Sequence, residues 1–218
     1  MRFCSVALLK NLARILKNPT HFSYIFHCKK HKIAYRSIHN YMYKFKSNGS
    51  KLDIVTVGNP ILRQECEAVG EFSPVVAKLA EDMLITMKES DGIGIAAPQV
   101  GRSLSLCIVD IHEVQSSFKD AVMCEFDNKK ADVDNICPLL LINPVIDKLH
   151  GEKFIMQEGC LSIPNRSENV ERYDIAEISF DDTDGNRHTM KATGILSRCM
   201  QHEIDHLHGI LYIDKIAK

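Results

Sequence analysis

His202-Glu203-Ile204-Asp205-His206 restricts this chain more than any other stretch, because the pattern has a use only on a helix. Residues i and i+4 share one helical face, so the two imidazoles can converge on a single ion. Glu203 lies about 100° further round the helix and can reach a water beside that ion without ligating it. The bland alternative is two histidines on an amphipathic helix. The flanks support a helix over Gly194 to Leu207, stopped by Gly209.

A catalytic metal needs a third protein ligand and an open position for water. Proteases with this motif usually take that ligand from downstream, yet only twelve residues follow His206. In the extended form H-E-x-x-H-x-x-G-x-x-H, Gly209 is in place but the last position is Tyr212. His208 is too close along the helix to face the same ion, and Asp214 remains as a minor candidate. Upstream, Glu158-Gly159-Cys160-Leu161-Ser162 offers a thiol on a non-helical segment that a glycine lets approach closely. Cys with two His suits zinc or iron(II). Cys160 could equally be a buried core thiol, and the residues alone leave both readings open.

The remaining sequence reads as one α+β domain with mainly antiparallel β-sheet. Ser73-Pro74 opens a helix whose apolar stripe runs through Val76, Leu79, Met83 and Met87. Leu104 to Ile111, Leu139 to Ile146 and Ile175 to Phe180 read as strands, and Asp184-Gly185 as the hairpin turn into His188 to Ala192. Gly92-Ile93-Gly94-Ile95-Ala96-Ala97-Pro98-Gln99 follows a helix and runs into a proline. It therefore reads as a tight loop beside a substrate rather than a dinucleotide fingerprint, which should follow a strand and open a helix.

Charge divides the chain at about residue 50. Residues 1–50 hold ten Lys/Arg and no Asp or Glu, a composition that resembles an organellar transit peptide, mitochondrial or plastid. A disordered basic extension, or an unused upstream start in a bacterial cytoplasmic protein, would look the same; Met42 stands just before the domain sequence. Residues 51–218, taken as the catalytic domain, are acidic, which gives no reason to expect direct nucleic-acid binding. No apolar run approaches membrane-spanning length. The eight cysteines include no C-x-x-C pair, as suits reduced thiols. Monomer and homodimer are equally compatible with these features.

G-x-G-x-A-A-x-Q, E-G-C-L-S and H-E-x-D-H, in this order over about residues 53–216, together resemble the three signature motifs of peptide deformylase. The resemblance implies antiparallel sheets around a central helix bearing H-E-x-x-H. It implies one divalent metal ion per chain, usually Fe2+ with Zn2+ possible, held by Cys160, His202 and His206. It implies removal of the formyl group from N-formylmethionyl nascent peptides, with the ribosome as the setting. Glu203 is then the general base and acid that activates water; Gln99 and the Leu161 N–H are candidate oxyanion donors, and Glu158 supports the site. Ile93, Gly94, Ile95, Ile195 and Cys199 are candidate walls for the methionine side chain. Ser167 stands where a basic or aromatic contact to the peptide would be sought. Two other readings are a metallopeptidase cutting internal bonds and a non-catalytic metal-binding or nascent-chain-binding protein; the presence of Glu203 disfavours the second.

Overall fold

The computed structural model describes residues 42–46, 48–114, 118 and 122–217, so the basic leader up to residue 41 lies outside the described residues. The described strands form one seven-stranded antiparallel sheet in the order β1 (Gly94–Ala96), β2 (Leu106–Val109), β5 (Leu139–Cys160), β6 (Ile163–Asp181), β7 (Arg187–Ala192), β3 (Cys124–Phe126), β4 (Lys129–Ala131). The helices are α1 (Pro74–Glu89), a single turn α2 (Val133–Ile136) and α3 (Gly194–Leu207).

The apolar strands are buried on both faces, and their side chains sort by the two-residue period of a strand. Cys107, Val109, Leu139 and Leu141 join Ile195, Leu196, Met200 and Ile204 of α3 in one cluster. Leu106, Ile108, Leu140 and Ile142 join Met83, Leu84 and Met87 of α1 in another. The expected helical stripe thus finds its partner, and its start is set by Ser73, whose side chain accepts from the Val76 N–H at 3.4 Å.

Two elements exceed their expected lengths. β5 continues from Leu139 to Cys160, and β6 returns from Ile163, joined by the two-residue connection Leu161–Ser162. Beyond Ile142 the β5 edge has left β2, and the register of the β5–β6 ribbon shifts at four places. Gly94–Ala96, expected as part of a loop, is instead a buried strand paired with β2.

Residues before the expected boundary at 51 also contact the domain. Tyr43 donates to Glu81 Oε1 at 3.0 Å, the Lys46 N–H donates to the same oxygen at 2.7 Å, and Phe45 and Tyr43 pack against the α1 cluster. Composition separated this stretch from the domain because it is basic, but its aromatic side chains fold against α1.

Candidate metal centre

α3 is polar at seven of its buried positions, from Ser197 to His206, which is abnormal for a core helix and marks where the chemistry lies. His202 and His206 rise from one face with ring centroids 5.0 Å apart. The end of β5 brings Cys160 against them, its Sγ 3.2 Å from His206 Nε2. One ligand atom from each of the three lies within 4.8 Å of the others, and all three residues are buried. Tetrahedral bonds of about 2.0–2.3 Å would separate such donors by roughly 3.5 Å, so the set fits one ion with little movement.

A second sign of fit is an acceptor with no partner. Glu203 Oε2 and His206 Nδ1 are the buried side-chain atoms that lack a hydrogen bond among the described residues. A carboxylate oxygen left so beside three ligands is placed to accept from a water. Burial, the largest influence, pushes the Glu203 carboxyl up to about 7. Gly94 makes room for it: a Cβ there would lie 2.3 Å from Glu203 Oε1 and 2.8 Å from Cys199 Sγ.

Gln99 is fully oriented. Its Oε1 accepts from the Ala96 N–H at 2.8 Å, which turns Nε2 toward Cys160 Sγ and Ser162 Oγ, each at 3.3 Å. Leu161 opens the connection between β5 and β6, directly after Cys160. Ile93, Ile195 and Cys199 share the α3 cluster, and the Cys199 thiol donates to the Ile93 carbonyl at 3.3 Å.

Ile95 does not belong with them. One residue beyond Gly94 on a strand, it points to the opposite face and is fully buried in the α1 cluster. It is a core residue, and reading the segment as a loop hid that alternation. The minor ligand candidates also sit elsewhere: Asp214 pairs with Arg63 and accepts from the Leu211 N–H, and His208 Nδ1 lies 2.5 Å from Glu65 Oε1. Tyr212, where the extended motif would have histidine, stacks on His202 at 6.1 Å and donates to the Arg166 carbonyl.

Two residues of the buried polar network were not singled out by sequence. Arg172 of β6 donates to Glu158 through Nε at 2.6 Å and Nη2 at 2.9 Å, and to Asp205 through Nη1 at 2.7 Å. Arg198 of α3 donates to the same Glu158 at 2.6 Å. Glu158 in turn accepts from His202 Nδ1 at 3.0 Å, leaving Nε2 to face a metal. Burial opposes the Glu158 charge, but the bonds from His202 and Arg172 hold its carboxyl well below the usual carboxylate range. An arginine within a charged strand gives no sequence signal; only the β5–β6 register reveals it.

Helix, strand end and buried glutamate define a class: an H-E-x-x-H protein whose third candidate ligand comes from an upstream strand. The Polypeptide deformylase family profile matches residues 51–218. Peptide deformylase of Opitutus terrae is 39% identical over 168 residues, covering 77% of this chain and 85% of that protein. Peptide deformylase of Synechococcus elongatus, solved in complex with actinonin, superposes with TM-score 0.64 at 33% identity, covering 91% of this chain and 88% of the other. The class I type b enzyme of Acinetobacter baumannii, solved with Met-Ala-Ser bound, gives TM-score 0.64 at 28% identity over 77% and 99% of the two chains. This chain belongs to the polypeptide deformylase family, hydrolases that are metal-dependent and deformylate nascent peptides.

Proposed function

We propose that this enzyme hydrolyses the formamide of N-formylmethionyl nascent peptides, releasing formate, with Glu203 as the proton carrier. The observation that supports this most is the unpartnered Glu203 Oε2, buried beside the Cys160, His202 and His206 donors. A divalent ion held by those three, Fe2+ foremost and Zn2+ next, would supply Lewis acidity and lower the pKa of a nearby water toward neutrality.

Glu203 takes the proton from the attacking water as the water oxygen bonds to the formyl carbon. It then gives the proton to the nitrogen as the C–N bond breaks, so one carboxyl serves as base and acid in turn. A carboxyl raised to about 7 by burial is matched to both tasks near neutral pH. Negative charge gathering on the formyl oxygen needs donors fixed in advance. Gln99 Nε2, aimed by the Ala96 N–H, is one, and the Leu161 N–H is the other. Ile93, Ile195 and Cys199 form the apolar side where methionine lies, with Gly94 leaving room for the Glu203 carboxylate beside them. Arg166, half exposed and adjacent to Ser167, pairs through Nε with Glu168 at 2.9 Å and offers the rest of its guanidinium to the distal peptide.

The test is formate release from formyl-Met-Ala-Ser by protein loaded anaerobically with iron(II). Turnover of the formylated peptide alone is expected. Cleavage of internal bonds in unformylated peptides would instead establish a metallopeptidase, and neither activity would end the hydrolase reading. We also propose that the basic leader directs the protein to an organelle. Sequencing the mature N-terminus tests this, and a start retained at Met1 would exclude cleavage of such a leader.

A further inference from the structure

Between α3 and the far end of the β5–β6 ribbon lies a group of buried charges: Glu158, Arg172, Arg198 and Asp205. The two arginines cross the gap in opposite directions. Arg172 starts on β6 and reaches Asp205 on α3 at 2.7 Å while forking onto Glu158 of β5. Arg198 starts on α3 and reaches the carbonyls of Phe154 on β5 at 2.6 Å and Val170 on β6 at 3.1 Å, together with Glu158. Both strands and the helix are therefore held by two guanidiniums that meet on one carboxylate.

That carboxylate is two residues from Cys160, on the same face of β5, and it also accepts from His202 Nδ1. Arg198, His202 and Asp205 recur at spacings of four and three along α3 and face the ribbon together. The separation set by the arginines is thus the separation between the Cys160 strand and the His202/His206 helix. Buried ion pairs of this kind add little net stability over apolar packing, so their effect has to be sought in geometry. Lys215 closes the outer end, donating to Asp205 Oδ1 at 2.7 Å.

We infer that Arg172 and Arg198 are positioning residues that hold Cys160, His202 and His206 in a ligand-ready arrangement before any metal binds. The inference rests on the metal-site reading of those three residues. Lysine at either position keeps a positive charge but loses the fork, so strand and helix are no longer held at two points. Changes to groups that orient ligands typically weaken metal binding 10–100-fold.

The test uses the full chain and cobalt(II) as the metal. Affinity is measured by competition with a chelator, ligand geometry by the thiolate charge-transfer and d–d absorption bands, and stability by melting of the metal-free protein. R172K and R198K are expected to bind cobalt at least tenfold more weakly with altered d–d bands. F126L, which loosens the contact of Phe126 with Phe180 away from the ligands, is expected to lower the melting temperature with unchanged affinity and spectrum. If R172K does not fold, D205N frees the far arm of Arg172 and is expected to reproduce the weaker binding and altered spectrum. Affinities within twofold of the unmodified protein for R172K, or for D205N in its place, overturn the inference, as does an equal loss in F126L. Absence of a thiolate band in the unmodified protein overturns the metal-site reading itself, and this inference with it.

Discussion

Gly94 and Glu203 touch: no side chain, even a methyl group, fits at the first without moving the carboxylate of the second. Gly94→Ala should therefore fold, because β1 is extended and any residue suits its backbone, yet hydrolyse formylated peptide poorly. Misplacing a reacting group by about 1 Å can cost roughly 10²-fold. Comparing kcat/KM with the melting temperature checks this; wild-type turnover would mean that Glu203 has a second workable position.

Glu203→Gln retains shape but neither accepts nor returns a proton. Turnover should fall by about 10²–10⁴-fold while metal content stays at the level of the unmodified protein. Metal analysis beside formate release separates the two quantities. Turnover near the original value would take the proton-carrying role away from Glu203.

Ile95→Val distinguishes core from pocket. With Ile95 fully buried toward α1, losing one methyl should cost about 0.5–1.5 kcal/mol of stability. KM for a formylmethionyl peptide should not change. Urea denaturation and steady-state kinetics on the same sample give both numbers, and a raised KM without loss of stability would return Ile95 to the substrate side.

His188 gives the fold a pH dependence away from the site. Burial disfavours its charge, but hydrogen bonds to Asp127 at 2.9 Å and Asp182 at 3.1 Å outweigh this and raise its pKa. A group whose pKa rises on folding stabilises fully below its unfolded value of about 6.5, and the gain disappears as pH climbs through the folded value. The stability difference between the unmodified protein and His188→Gln should thus be largest near pH 6 and shrink toward pH 9. Denaturation midpoints across that range would show it; a difference that grew with pH would mean His188 is neutral in the fold.

How much of this could be read from sequence depended on distance along the chain. His202, Glu203 and His206 were legible because their relation is one helical turn. The α1 stripe and the Asp184-Gly185 turn were legible for the same reason. Cys160 needed the resemblance to a family, since eight thiols offer no local means of choosing among them. Arg172 and Glu158, fourteen residues apart, meet only because a long ribbon turns back at Leu161–Ser162 with bulges that no composition reveals. Ile95 was misread because three residues are too short for alternation to stand out against a glycine-rich surrounding.

β1 has a further consequence as the partition between two rooms. On one side its Gly94 borders the carboxylate, and on the other its Ile95 shares a core cluster with Met83 and Met87. The wall behind the acid/base is one backbone thick. Swelling or thinning the layer beneath α1 would tilt that wall and be felt as a change in rate. Variants selected only for tighter packing of that layer are where unplanned gains and losses of turnover should first be found.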